Sequence, residues 1–84
     1  MHGGELETSI LLHAMPEVVR LDLAADHEAT QRPLLTLFGM HEYTSSGIIG
    51  FPTRASAEKG RKLIDGLVSA IGSDLQAILS RIKV

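Results

Sequence analysis

The sequence predicts an α/β chain: two main helices with short strands and loops between them, in one domain over residues 1–84. Three observations predict it. A run of helix formers with apolar residues at helical spacing lies near the N-terminus. A longer amphipathic run closes the chain. Between them lie short apolar stretches, one of them alternating with period two, separated by Gly, Pro, Ser and Thr.

The first helix is expected over Glu5 to Met15, with Leu6, Ile10 and Ala14 on one stripe and Leu11 and Met15 beside it. Glycines at 3 and 4 precede it, and Glu5 and Glu7 fall in its first turn, where the helix dipole favours negative charge. Pro16 stops it, because a proline disfavours helical geometry in the residue before it. Val19, Leu21 and Leu23 alternate with Arg20 and Asp22, the pattern of a half-buried strand. Ala24 to Arg32 is a polar excursion, with Asp26-His27-Glu28 as a solvated turn. Pro33 to Met40 is an apolar run too short to classify, and His41 to Gly47 is a loop. Gly47-Ile48-Ile49-Gly50-Phe51-Pro52 is a short apolar stretch closed by glycine and proline.

The last helix opens at Ser56, a good N-cap, with Glu58 in its first turn. Ile64, Val68, Ile71, Leu75, Ile78 and Ile82 recur at spacings of 4, 3, 4, 3 and 4, a continuous apolar seam. Gly66 and Gly72 weaken this helix by roughly 1 kcal/mol each relative to alanine, and Gly72 marks a kink or break. Arg81 and Lys83 suit the negative end of its dipole. Two helices and some short strands do not bury such a seam by themselves, so the domain is partial and most of what covers the seam is not encoded here.

At 44% hydrophobic and 21% charged, with a net charge of −2, the composition is that of a globular chain. A domain this small hides a limited share of its surface, so its margin of stability is thin. Lys59, Arg61 and Lys62 cluster, but Glu58 and Asp65 dilute them, which points away from a nucleic-acid partner. The absence of cysteine excludes disulfides, thiolate metal sites and a cysteine nucleophile, and fits a cytoplasmic protein. No apolar run approaches the roughly 18 residues that span a bilayer, and no basic amphipathic face marks a membrane binder. The start of the chain lacks the basic residues and apolar centre of a signal peptide.

The candidate chemistry sits at the N-terminus. In His2-Gly3-Gly4-Glu5-Leu6-Glu7-Thr8-Ser9 a glycine pair, which permits close backbone approach, leads into a helix N-terminus that favours anions. His2 and Glu7 flank the turn, residue types suited to proton transfer or metal ligation. The other histidines, His13, His27 and His41, form no HExxH or other ligand spacing.

This stretch is similar to the signature H-[AG]-G-x-x-E-T-S of the creatininase family. Met15-Pro16-Glu17-Val18-Val19-Arg20-Leu21-Asp22 resembles its P-E-L-V-R-x-D stretch, Ser46 to Thr53 its S-G-V-I-G-x-P-T stretch, and Ala55-Ser56-Ala57-Glu58-Lys59-Gly60 its A-T-A-E-K-G stretch. The four matches run in the family's order over nearly the whole chain. The resemblance implies the C-terminal part of a three-layer α/β/α fold. It implies a hydrolase of cyclic amides or formamides using a pair of divalent metals, zinc, manganese or iron, which activate a water and polarise the carbonyl. It assigns proton transfer to His2, support of that histidine or of the metal site to Glu7, and presentation of backbone amides to substrate to Gly3 and Gly4. It implies oligomers, often hexamers.

The family's metal ligands come largely from two earlier motifs, E-x-H followed by an aspartate and N-G-H-G-G-N, and neither is present. The expectation is therefore a chain that holds no metal ligand set, is inactive alone, and works with a complementary N-terminal chain on a small-molecule amide. The alternative is a non-catalytic remnant or small module that self-associates through the seam of the last helix.

Overall fold

The structure, a computed structural model, describes residues 1–82. Lys83, assigned above to the dipole of the last helix, lies outside the described residues. Three α-helices are present: α1 (Glu5–Ala14), α2 (Leu35–Phe38, a single turn) and α3 (Ala57–Arg81). Short 3-10 turns at Pro16–Val18, Leu21–Leu23, Met40–Glu42 and Pro52–Arg54 join them.

The start of α1 follows from its glycines. Gly3 sits at φ +60, a conformation that costs other residues, and the chain then turns into the helix at Gly4. No side chain of the N-cap residue satisfies the first turn. Instead the Glu7 carboxylate reaches back and accepts from the Gly3 amide, a variant of the capping box. At the other end Met15 leaves the helix (φ −145) and Pro16 follows, so the helix stops one residue short of the expected limit, where the proline forces it to.

In α3 the Ser56 hydroxyl accepts from the Lys59 amide at 3.2 Å. The helix then runs 25 residues without interruption, so the break expected at Gly72 does not occur. Gly66 and Gly72 both face open space, and the backbone ladder of a helix needs no side chain to continue. Arg61 pairs with Glu58 at 2.7 Å and Asp65 at 3.0 Å. The Arg61 guanidinium holds the Glu58 carboxyl below its ordinary value, and the carboxylate raises Arg61 in return. These pairs are exposed and add little stability, but they neutralise the only cation cluster the sequence suggested.

The α/β expectation is overturned. Among the described residues there is no strand or sheet, and no three-layer arrangement. Val19 to Leu23, read as a half-buried strand, ends in a 3-10 turn at Leu21–Leu23, with Leu21 and Leu23 each more than half exposed. An extended segment needs a neighbour for its amides and carbonyls, and among the described residues no bridge pairs with this one. Pairing is limited to two isolated antiparallel bridges, His2 with Ile49 and His27 with Gly50. Positive φ at Gly47 (+89) and Gly50 (+151), with Pro52 after them, prevents either bridge from growing into a ladder.

Helix α1 crosses the first turns of α3 by backbone contact. Ser9 is fully buried there, and its hydroxyl accepts from the Ser56 amide at 3.2 Å. A Cβ on Gly60 would stand 1.8 Å from the Ser9 carbonyl oxygen, so only glycine permits this crossing. The apolar stripes contribute little to it. Ile49 is the one large apolar side chain buried among the described residues, while Val68, Ile71, Leu75, Ile78 and Ile82 along the seam are 53–66% exposed.

The molecule is correspondingly open. Its accessible surface is 6394 Å², against about 4,900 Å² for a compact monomer of this mass. Its radius of gyration is 17.1 Å, against about 12 Å for a compact chain of this length. By length and composition alone α3 is apolar enough to cross a bilayer. Its carboxylates at Asp65 and Asp74 would each cost about 3 kcal/mol at a bilayer centre. Its apolar residues also keep to one face, which is the pattern of a helix that packs on protein.

Candidate functional site

Three segments that are distant in sequence meet at the N-terminal turn. The strap Gly47–Gly50 lies between the turn and His27. On one side His2 N donates to Ile49 O at 3.0 Å and Ile49 N to His2 O at 2.9 Å, while the Met1 ammonium donates to Ile49 O at 2.7 Å. On the other side His27 N donates to Gly50 O at 2.9 Å and Gly50 N to His27 O at 2.8 Å. Gly4 and Gly50 touch: a Cβ on Gly50 would stand 2.9 Å from the Gly4 Cα. Glycine is needed at position 50, where a side chain would overlap the Gly4 backbone; a Cβ on Gly4 would stand 3.4 Å from the Gly50 Cα, an ordinary contact.

His2 is exposed, and its Nδ1 lies 2.7 Å from the Gly47 carbonyl oxygen. A carbonyl only accepts, so Nδ1 is the donor of this bond, and in the neutral imidazole Nε2 then carries the lone pair. The strap thus fixes both the tautomer and the direction of the ring. Glu7 does not meet His2; its carboxylate is spent on the Gly3 amide. Gly3 therefore has no free amide to offer. The Gly4 amide makes no hydrogen bond among the described residues, and Gly4 is buried beneath the strap.

Asp26, His27 and Glu28 are exposed, as a solvated segment should be, but sequence reasoning missed the strap that Asp26 and His27 hold. His27 Nε2 donates to the Tyr43 carbonyl at 2.6 Å. Asp26 accepts from the Thr53 amide at 3.0 Å and from the Thr53 hydroxyl. The Thr44 hydroxyl donates to Ile48 O at 2.7 Å, closing the loop that carries the strap. The legible signal was the glycine spacing of Gly47-Ile48-Ile49-Gly50 followed by Pro52-Thr53.

The Thr53 hydroxyl, then its amide, then the Arg54 charge hold the Asp26 carboxyl below the usual aspartate value. A lowered folded-state value means that the link is intact above the unfolded value, near 4, and is lost as pH falls through the lowered one. The Thr53 amide resonance is therefore expected to stay fixed from neutrality to about pH 4 and to move only below it. In Asp26→Asn this acid transition should disappear.

No group of three or more His, Asp or Glu side chains is arranged to hold a metal among the described residues. The carboxylates nearest the turn are engaged, Glu7 with the Gly3 amide and Asp26 with Thr53, and His2 and His27 each hold one ring nitrogen in a main-chain bond. The residues present do not fit a metal pair. A small groove of about 120 Å³ lies at the turn, lined by Met1, Gly4 and Glu7. A groove of about 410 Å³ runs between α1 and α3 along Leu6, Ser9 and Leu63 and includes none of His2, Gly3, Gly4 or Glu7. A groove of about 220 Å³ has Gly3, Arg20 and Ile48 in its walls.

The family model for creatininase, described as creatinine amidohydrolase, matches residues 1–75. The chain belongs to the creatininase family. It is 40% identical over 78 residues to the mycofactocin precursor peptide peptidase of Mycobacterium ulcerans (strain Agy99), covering 83% of this chain and 31% of the relative. The corresponding protein of Mycobacterium tuberculosis (strain ATCC 25618 / H37Rv) is 35% identical over 71 residues, 80% of this chain and 28% of its own length. The creatinine amidohydrolase of Pseudomonas putida is 30% identical over 77 residues, 89% of this chain and 30% of its own length. No solved structure matches. The chain spans about a third of the length of these family relatives.

Proposed function

We propose that this chain supplies the proton-transfer part of a metal-dependent amidohydrolase that breaks an amide C–N bond. The observation that carries the reading is the His2 imidazole, oriented by the Gly47 carbonyl with Nε2 left free, in a chain of the creatininase family. His2 Nε2 takes a proton as water adds to the amide carbon, and gives it to the nitrogen as the C–N bond breaks. Glu7 holds the turn that carries His2, and Gly3 and Gly4 let that turn approach the strap closely. The metals, zinc, manganese or iron, belong to residues outside this chain. The same outside portion covers the open face of α3, so the isolated chain does not turn over.

The substrate follows the chemistry shared by the relatives, an amide carbonyl. A cyclic amide or formamide is one class. The higher identity to a peptide peptidase, 40% against 30% for the creatinine amidohydrolase, favours an open-chain peptide amide as the other. A second reading, a small module that self-associates, is favoured by the exposed seam of α3 alone. A monomer by light scattering at high concentration contradicts it.

Calorimetry with zinc and manganese tests the division of labour. The chain alone should show no stoichiometric uptake. With the portion of the Mycobacterium ulcerans relative that it does not cover, the pair should bind metal stoichiometrically. Tight one-to-one binding by the chain alone overturns this assignment.

A further inference from the structure

We infer that His27 and Asp26 are positioning residues for His2, acting through the strap Gly47–Gly50 and its continuation to Thr53. The inference rests on the proposed role of His2 for its importance, but its geometry and its test do not. The proton on His2 Nδ1 stays where it is only while the Gly47 carbonyl stays 2.7 Å away. A free imidazole has no such constraint and exchanges between tautomers. What holds Gly47 in place is therefore part of what prepares Nε2.

The strap is gripped from both edges. The N-terminal turn grips it at Ile49, and His27 grips it at Gly50 through two main-chain hydrogen bonds of 2.9 and 2.8 Å. The grip at Gly50 depends on where His27 itself is held. Its imidazole is tied to the Tyr43 carbonyl at 2.6 Å, and the Tyr43 hydroxyl is tied to the Pro33 carbonyl. One residue back, Asp26 pins the far end of the strap with two hydrogen bonds from Thr53. Asp26 and His27 thus clamp the strap at Thr53 and Gly50 and press Gly50 against Gly4, a contact already so close that a Cβ would overlap it. If the clamp is released, only the edge that carries His2 still holds the strap, and that edge moves with the ring it is meant to orient. The other charged groups of this segment do not substitute: Glu28 has no hydrogen bond in the clamp, and Arg32 is turned to the Ala29 carbonyl.

The measurement is the tautomer of His2, read from long-range proton–nitrogen correlations in the nitrogen-15-labelled chain above pH 8, together with amide exchange at Gly50. In the unsubstituted chain His2 should be held with the proton on Nδ1. In His27→Ala the Nε2-protonated form should become the major one, and Gly50 should exchange about tenfold faster, the scale of one net hydrogen bond. His27→Gln, which restores an amide donor toward Tyr43, should recover the Nδ1 form at least in part. Asp26→Asn should give the same direction with a smaller change, and serves if His27→Ala does not fold. A folded His27→Ala or Asp26→Asn chain with the His2 tautomer and Gly50 exchange unchanged overturns the inference. Loss of hydrolysis in a reconstituted enzyme with an unchanged tautomer would also count against it, while an altered tautomer with unchanged hydrolysis would spare the clamp and overturn the role given to His2.

Discussion

Replacing Gly60 with alanine is expected to separate α1 from α3. The new Cβ would lie 1.8 Å from the Ser9 carbonyl oxygen and 2.5 Å from its carbon. Both are backbone atoms of a helix, so no rotamer change relieves the overlap. The helices must move apart, and the Ser56–Ser9 hydrogen bond and the Lys59–Glu5 pair at 2.7 Å go with the contact. Overpacking that cannot relax costs at least 3 kcal/mol, comparable to the whole margin of a domain this small. The chain should lose cooperative thermal unfolding by circular dichroism. Gly66→Ala and Gly72→Ala are expected to do the reverse. Both positions are open, and each alanine should add about 1 kcal/mol of helix stability. If all three substitutions act alike, the helix crossing at Gly60 is wrong.

The second large effect concerns the open face of α3. Ile71→Asp together with Leu75→Lys should leave the isolated chain folded and more soluble, because both side chains are more than half exposed. The same pair should abolish binding to the uncovered portion of a family relative. Burying each of the original side chains is worth about 1.5–3 kcal/mol, and burying an unpaired charge reverses the sign. Affinity should fall more than a hundredfold by titration calorimetry. Unchanged affinity would mean that the partner covers some other face. Self-association of the unsubstituted chain that the double substitution removes, without any affinity for the outside portion, would favour the small-module reading.

The parts of the fold visible in the sequence were those set by local chemistry. The glycine turn, the stop at Pro16, the cap at Ser56 and the seam at 4-3-4-3-4 spacing each follow from neighbours a few residues away. The α/β layering was not local. Val19 to Leu23 has a strand's alternation, but alternation states only a preference, and a strand forms where a neighbour accepts its hydrogen bonds. The break expected at Gly72 failed for a related reason: a weak propensity does not end a helix of 25 residues whose ladder is otherwise complete. Gly60 has no local reason to be glycine; the reason is the Ser9 backbone, which α1 brings against it from the other end of the chain.

The site was legible in composition and illegible in contacts. His2, Gly3, Gly4 and Glu7 do form one turn. That Glu7 serves the Gly3 amide and that Gly47 serves His2 required the strap to fold back over the turn. Asp26 and His27 carried no recognisable spacing, because their partners, Thr53, Gly50 and Tyr43, are 16 to 27 residues away. Spacing rules find clusters that lie on one element, and this site is assembled from three segments.

The most direct measurement is amide hydrolysis by the reconstituted pair, this chain with the uncovered portion of the Mycobacterium ulcerans relative and added metal. Substrates are a short peptide amide and a cyclic amide. The expected result is activity from the pair, none from either part alone, and a loss of about 10²–10⁴-fold on His2→Ala. Turnover by the 84-residue chain alone, or a reconstituted pair whose rate is unaffected by His2→Ala, would contradict it.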